Sequence, residues 1–382
     1  MAVRRTAPKV DPDRPHIDNQ KRKFRINDLA KAELLAEGWK PPRATGTLDE
    51  YLEMDYPDLE FTVADLIPEG ANVLLNAQYK KGKTTAALNL VRSIADGDDL
   101  FGAFRITPVG NVAWWNCEVS ERQAVAWLKD MKVRNPENVS LLHLRGQSMP
   151  LRNKEVRDWA VKWLKRHSVK VWVVDPFGAL YDGEENSNSE IREWLRALDE
   201  IKRRAKVNVL VLVAHTGHDA QDDDAVVRAR GGARLMDWPD VIWTYRGGSD
   251  IDPSLRFMTA MGRDVEVPEF TLSFEPSTRT LTRVNGVGSR ADQRRVSLAY
   301  QVATLVREQF DATGKPINKS GIEKEIHKKA TEVQRAVSYA VDMNWIRVED
   351  GPNRSKLHYP GEDEPELTAS GWNPVVVGSE KE

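Results

Sequence analysis

The chain has 382 residues, more than one compact core usually absorbs, so two folded units with tails are expected. Hydrophobic residues make up 40% and charged residues 30%, and the formal net charge of -2 excludes a polycation, so any nucleic-acid contact has to come from local patches. A single cysteine, Cys117, excludes an intrachain disulfide and a thiol metal cluster. No apolar run approaches the ~20 residues of a membrane span, and the opening MAVRRTAPKVDPDRPH carries charge and proline where a signal peptide needs an apolar core. A cytoplasmic protein is expected.

In chain order, residues 1–25 are polar, proline-bearing and basic, with the cluster Lys21-Arg22-Lys23, and read as a flexible arm. A short amphipathic helix is expected over 26–37, capped by Asn27 or Asp28, with Ile26, Leu29, Leu34 and Leu35 as apolar positions and Gly38 as its stop. Lys40-Pro41-Pro42-Arg43 is a linker, and residues 1–46 form the N-terminal segment.

Between 73 and 284 short apolar runs alternate with helical stretches: NVLLNA, TTAALNLVRSIA, NVAWWNCE, QAVAWLKDM, SLLHL, EVRDWAVKWLKRH, VKVWVVD, EIREWLRALDEIKRRA and NVLVLVAHT. Strands without polar alternation, joined by helices, mark a parallel sheet buried on both faces. The runs DVIWTY, RFMTAMGR, FTLSFEP and RTLTRV lack intervening helices and are expected to pair antiparallel at one edge. The fold class is therefore α/β over 47–288, a mostly parallel sheet flanked by helices.

Residues 289–360 form a second unit. Helices are expected over 296–310 and 321–327, and a third from Thr331, where Thr331-x-x-Gln334 matches a capping box. The third helix is expected to bury Val333, Ala336, Val337, Ala340 and Val341. Two strands, IRVED and KLHYP, flank the turn Gly351-Pro352-Asn353-Arg354, and three helices followed by a hairpin is a winged-helix pattern. The tail 361–382 is acidic and expected to be disordered.

The strand NVLLN runs into Ala77-Gln78-Tyr79-Lys80-Lys81-Gly82-Lys83-Thr84-Thr85 and then a helix. The pattern [AG]-x-x-x-x-G-K-[ST] is the Walker A loop, in which backbone N–H groups and a helix N-terminus cradle phosphates. On this reading residues 77–85 bind ATP, Lys83 reaches its β- and γ-phosphates, and the Thr84 hydroxyl ligates Mg²⁺. Tyr79, Lys80 and Lys81 stand where many such loops carry further glycines. VWVVDP ends an apolar strand in Asp175, the Walker B arrangement that sets a carboxylate beside the Mg²⁺ shell. Glu118, after NVAWWNC, is the candidate to polarise the attacking water, and otherwise a helix-capping acid beside Ser120. His215 ends VLVLVAH and is either a γ-phosphate sensor or a polar strand end.

With the P-loop, Glu118, Asp175 and His215 in that order, the chain resembles the RecA/DnaB superfamily, and within it the RepA-like branch of plasmid and phage replicative helicases. TVADLIPEG, DGEENSNSE, ARGGARLMDWPDVIW and the GRD of FMTAMGRDVEV extend the likeness over 59–284. The resemblance implies a homo-oligomeric, hexameric ring with ATP between neighbours and an arginine reaching across the interface. By position Arg230 and Arg263 are the candidates, with Arg234 third; Met261 departs from relatives that carry a second basic residue there. It also implies single-stranded DNA held by loops 179–190 and 217–232, although the first is acidic and the second contains Asp222-Asp223-Asp224. The second unit, with Lys328, Lys329, Arg335, Arg354 and Lys356, suits duplex DNA or protein docking. The function expected is an ATP-driven DNA translocase or helicase in mobile-element replication. The alternative is a DNA-binding regulatory ATPase, of partition or initiation type, whose nucleotide state controls assembly. A small-molecule kinase is disfavoured because no lid is recognisable.

Overall fold

Apolar runs that show no alternation in sequence sort onto two faces once the strands pair. The computed structural model describes residues 13–37, 46–107, 110–184, 187–215, 232–248, 253–284 and 289–365, and the chain divides into the units Met1–Asp58 and Leu59–Glu382.

The first unit contains α1 (Arg14–Glu37) and α2 (Leu48–Leu52). The helix expected from Ile26 starts at Arg14 instead, so the basic cluster Lys21-Arg22-Lys23 is helical rather than part of an arm. Pro15 lies in its first turn, where the missing N–H costs nothing, and the residues that follow are adequate helix formers. A reciprocal capping box between Thr47 and Glu50 starts α2.

The second unit opens with the small hairpin β1 (Phe61–Val63) and β2 (Ile67–Pro68), then β3 (Asn72–Ala77) and α3 (Lys83–Asp96). There follow β4 (Asn111–Asn116), α4 (Glu121–Asp130), β5 (Val139–His143), α5 (Lys154–Arg166) and β6 (Val169–Asp175). Next come α6 (Phe177–Leu180), α7 (Asn188–Ala205), β7 (Val209–His215), α8 (Gly232–Asp237) and β8 (Val241–Arg246). The strands β9 (Leu255–Gly262), β10 (Glu266–Glu275) and β11 (Thr280–Val284) complete a nine-stranded sheet of order β11-β10-β9-β8-β3-β7-β6-β4-β5.

The pairings from β8 through β5 are parallel, and β9, β10 and β11 add antiparallel at one edge. This corrects the expectation for DVIWTY: as β8 it runs parallel to β3, because the short helix α8 precedes it and the chain crosses over before entering the sheet. Val73, Leu75, Val112, Trp114, Val171, Val173, Val211 and Val213 face α3, while Leu74, Trp115, Trp172, Val174, Leu210 and Leu212 face α5 and α7. Both faces are covered, which is why these strands read as unbroken apolar runs. On the second face Trp115 meets Trp172 edge-on at 4.6 Å between ring centroids, a contact worth ~0.5–1.5 kcal/mol beyond area burial.

After the sheet come α9 (Arg290–Thr313), β12 (Ile317–Asn318), α10 (Lys319–Ile326), α11 (Ala330–Asp342), β13 (Ile346–Asp350) and β14 (Lys356–Pro360). The strands form a three-stranded antiparallel sheet in the order β12-β14-β13. The capping box at Thr331 does not form: α11 starts earlier, Lys329 takes the cap position, and no side chain caps it. The buried stripe of α11 is Val333, Ala336 and Ala340, with Val337 only half-buried and Val341 exposed. Val341 falls one residue past that stripe, so helical geometry turns it outward.

Candidate functional site

The parallel strands β3, β7, β6 and β4 lie side by side, and their carboxyl ends carry the candidate residues, the edge where open α/β sheets bind ligands. Ala77, the last residue of β3, is level with His215 on β7 and Tyr245 on β8. Asp175, at the end of β6, is level with Asn116 on β4.

Residues 78–82 leave β3 as a loop, with the Lys81 N–H donating to the Gln78 carbonyl at 3.4 Å, and Gly82 turns the chain into α3. Gly82 has φ 95°, a left-handed conformation natural to glycine. No side chain caps α3, so its N-terminal N–H groups remain available to an anion. The first turn of α3 is anchored from behind: Asn89 donates to the carbonyls of Thr85 and Arg279, at 2.9 and 3.0 Å, and accepts the Leu281 N–H at 2.9 Å. Tyr79 is exposed, its ring centroid 5.7 Å from that of His215, and the Lys80 ammonium lies 5.2 Å from the Tyr79 centroid.

Lys83 is 7% exposed, and its Nζ lies 3.2 Å from Oε2 of the half-exposed Glu118. Asp175 is buried, and desolvation pushes its carboxyl up to about 6 against the opposing pull of the Lys83 charge and of the nearby Thr84 hydroxyl. Its Oδ1 is buried with no hydrogen-bond partner. A buried carboxylate oxygen beside a threonine hydroxyl is a hard-oxygen donor pair, so Thr84 and Asp175 fit a Mg²⁺ ion that keeps most of its own waters. Burial likewise pushes the Cys117 thiol, between Asn116 and Glu118, up to about 12, so it stays protonated and inert.

Lys83, Thr84, Asp175 and Glu118 thus converge, and His215 borders the P-loop through Ala77 and Tyr79. The candidate arginines do not join them. Arg263 follows β9 at the other end of the sheet: Gly262 is level with Val241, which is level with Val73 near the start of β3. At ~3.4 Å per residue that is about 14 Å of strand from Ala77. Arg263 is exposed and pairs with Asp240, Nη1 to Oδ1, at 3.5 Å. Arg234 is exposed on α8, 3.7 Å from Asp237. Arg230 lies outside the described residues, as does most of the loop 217–232.

Two residues at the site went unread in the sequence. Tyr245 is buried with its hydroxyl 3.5 Å from where a Cβ at Gly82 would stand, and burial raises its phenol above the usual range. Its signal was a strand-end aromatic beside the P-loop strand, visible only once β8 is known to pair with β3. Asn116 is the second, a fully buried amide closing an apolar strand.

A sequence family described as an AAA domain matches residues 41–221, a span that includes the P-loop, Glu118, Asp175 and His215. No curated protein matches the chain. Among solved structures, a KaiC-like protein of the hyperthermophilic archaeon Pyrococcus horikoshii is similar at 16% identity, over 57% of this chain and 90% of that one, with a TM-score of 0.42. A RadB recombinase is similar at 19% identity, over 57% of this chain and 92% of that one, with a TM-score of 0.39. A DnaB-like replicative helicase is similar at 15% identity, over 72% of this chain and 77% of that one, with a TM-score of 0.46.

Proposed function

We propose that this chain is a P-loop ATPase that hydrolyses ATP in a homo-oligomeric, hexameric ring and acts as a DNA translocase or helicase in replication of a mobile element. The observation that carries the ATPase reading is the convergence of Lys83, Thr84, Asp175 and Glu118 on the uncapped N-terminus of α3. The AAA-domain match over 41–221 supports it. Residues 77–85 hold the phosphates through backbone N–H groups, and Lys83 leaves Glu118 to neutralise the β- and γ-phosphates. Thr84 and Asp175 would hold Mg²⁺, which when bound would neutralise charge on the phosphate oxygens. Glu118, released from Lys83, orients and deprotonates the attacking water. His215 and Tyr79 border the γ-phosphate end.

The ring part of the reading rests on Arg263. Its distance from the P-loop of its own chain leaves it for the site of a neighbour, where it neutralises charge in the transition state. DNA has two candidate contacts: the loops at the carboxyl edge of the sheet, and the C-terminal elements 289–360 read as a winged helix, on which Lys328, Lys329 and Arg335 are exposed.

One observation favours the regulatory ATPase over the helicase. The loop 179–190 carries Asp182, Glu184, Glu185 and Glu190 and no basic residue, and Arg152, from outside it, already spends its charge on Asp182 at 3.5 Å and Glu190 at 3.4 Å, so the loop presents acid rather than cation to a strand. The deciding experiment is Glu118→Gln beside wild type, followed for ATP binding, phosphate release and displacement of a labelled strand. Glu118→Gln keeps ATP binding and loses ~10²–10⁴ in turnover. Wild-type turnover in that variant sinks the site, while ATP-dependent duplex binding without displacement by the wild-type protein selects the regulator.

A further inference from the structure

Asn116 closes β4 and is 1% exposed, an amide at the end of an apolar run. Its Oδ1 accepts the Val119 N–H at 2.9 Å, and its Nδ2 donates to the Val119 carbonyl at 2.6 Å. Nδ2 also lies 3.1 Å from Nδ1 of His143 on β5. The two bonds to Val119 decide which end of the amide is oxygen and which is nitrogen. With one Nδ2 hydrogen on Val119, the other points at His143, so Nδ1 of that ring is the acceptor and its proton sits on Nε2. Just beyond Asn116, the Cys117 N–H donates to the Asp175 carbonyl at 2.8 Å.

Residues 117–119 therefore bridge two fixed points, and Glu118 is the middle of the bridge. Its side chain is 46% exposed and is met by Lys83 at 3.2 Å, so packing does not aim it and the backbone beneath sets the point from which it reaches. We propose that Asn116 is the positioning residue for Glu118: its amide holds the turn 117–119 in the conformation that directs the Glu118 carboxylate to the phosphate end of the P-loop, and His143 orients that amide. This rests on Glu118 acting on the attacking water, as proposed above.

The test uses the full chain with Asn116→Ala and Asn116→Ser, each alone and with Glu118→Gln, reading kcat and KM for ATP and the Kd of a fluorescent nucleotide. Asn116→Ala lowers kcat ~10–100-fold, the scale of a misplacement by about an ångström, and leaves nucleotide affinity within about threefold. Asn116→Ser recovers part of the loss, because a hydroxyl can accept the Val119 N–H as serine does in local turns. In the Glu118→Gln background Asn116→Ala adds nothing further, since residues acting as a unit are not additive. Additive losses, or wild-type kcat in Asn116→Ala beside an inactive Glu118→Gln, overturn the positioning role and leave Glu118 standing. Wild-type turnover in Glu118→Gln overturns both. Should Asn116→Ala fail to fold, His143→Ala decides, because it removes one partner of the amide from a half-buried site. A drop of a few-fold in its kcat at unchanged affinity upholds the proposal, and an unchanged kcat overturns it.

Discussion

Asp240 grips Asn72, the first residue of the P-loop strand, through two bonds: its Oδ2 accepts the Asn72 N–H at 2.8 Å and its own N–H donates to the Asn72 carbonyl at 2.8 Å. Its other carboxylate oxygen faces Arg263. One side chain therefore anchors both the base of β3 and the turn that carries the proposed trans arginine, and the two contacts are worth different amounts.

Asp240→Ala leaves the part-buried Asn72 N–H without its acceptor and destabilises the chain by ~1–3 kcal/mol. Arg263→Ala breaks only an exposed ion pair and changes stability by ~0–1 kcal/mol. Urea unfolding of both variants checks this, and equal losses in the two would show that the arginine contact carries the anchoring instead.

Lys83→Ala abolishes ATP binding, because it takes away the cation inside the P-loop while the backbone cradle is left in place. The fold survives, since the pair with half-exposed Glu118 is weak and removing a buried ammonium relieves its desolvation. Titration with a fluorescent ATP analogue and a thermal melt read the two halves of this prediction. Unchanged affinity in a folded variant rules out the P-loop assignment.

The C-terminal elements weaken in acid. His358 is buried on β14 with its Nδ1 3.1 Å from the Ile317 carbonyl, and desolvation holds its imidazole below the usual histidine range. The unfolded chain then takes up the proton first as pH falls through ~6.5, so stability present at neutral pH declines below it. Protection factors at 317–318 and 356–359, exchange divided into the intrinsic rate at each pH, fall between pH 7.5 and 5.5. His358→Asn flattens that dependence; an identical slope in the variant places its origin in another group.

The P-loop was legible because three signals coincide there: an apolar strand, Gly82-Lys83-Thr84, and an amphipathic helix. Asp175 and Glu118 followed from the rule that parallel strands deliver polar residues at their carboxyl ends. The direction of β8 was not legible, since DVIWTY carries the same apolar pattern whichever way it pairs and α8 is too short to announce a crossover. Pattern also misplaced the start of α11, because Thr331 and Gln334 satisfy a capping box in sequence while the cap falls two residues sooner, at Lys329. Asn116 escaped for a different reason. An asparagine at a strand end reads as turn-former, which covers its two local bonds to Val119, while the third depends on His143 arriving on β5.

The proposed mechanism depends on an oligomer, and mixing two defective subunits tests it. Arg263→Ala binds ATP nearly normally, because Arg263 stands at the far end of the sheet from its own P-loop, but it fails to hydrolyse. Lys83→Ala binds no ATP yet keeps Arg263. Where the two meet in the right order, an intact P-loop faces an intact arginine, and activity returns. Loss of such an arginine typically costs ~10³–10⁵ in rate, so a few hybrid interfaces stand clear of background. Phosphate release is measured across mixing ratios after subunit exchange, with assembly of each variant checked by mass with a slowly hydrolysed ATP analogue. Since strict coupling around a ring can suppress rescue, Arg263→Ala alone is the second readout. Wild-type hydrolysis by that variant removes Arg263 from the interface and passes the role to Arg230 or Arg234, tested in the same way. If all three hydrolyse normally and the protein stays monomeric with nucleotide, the ring falls and the regulatory ATPase takes its place.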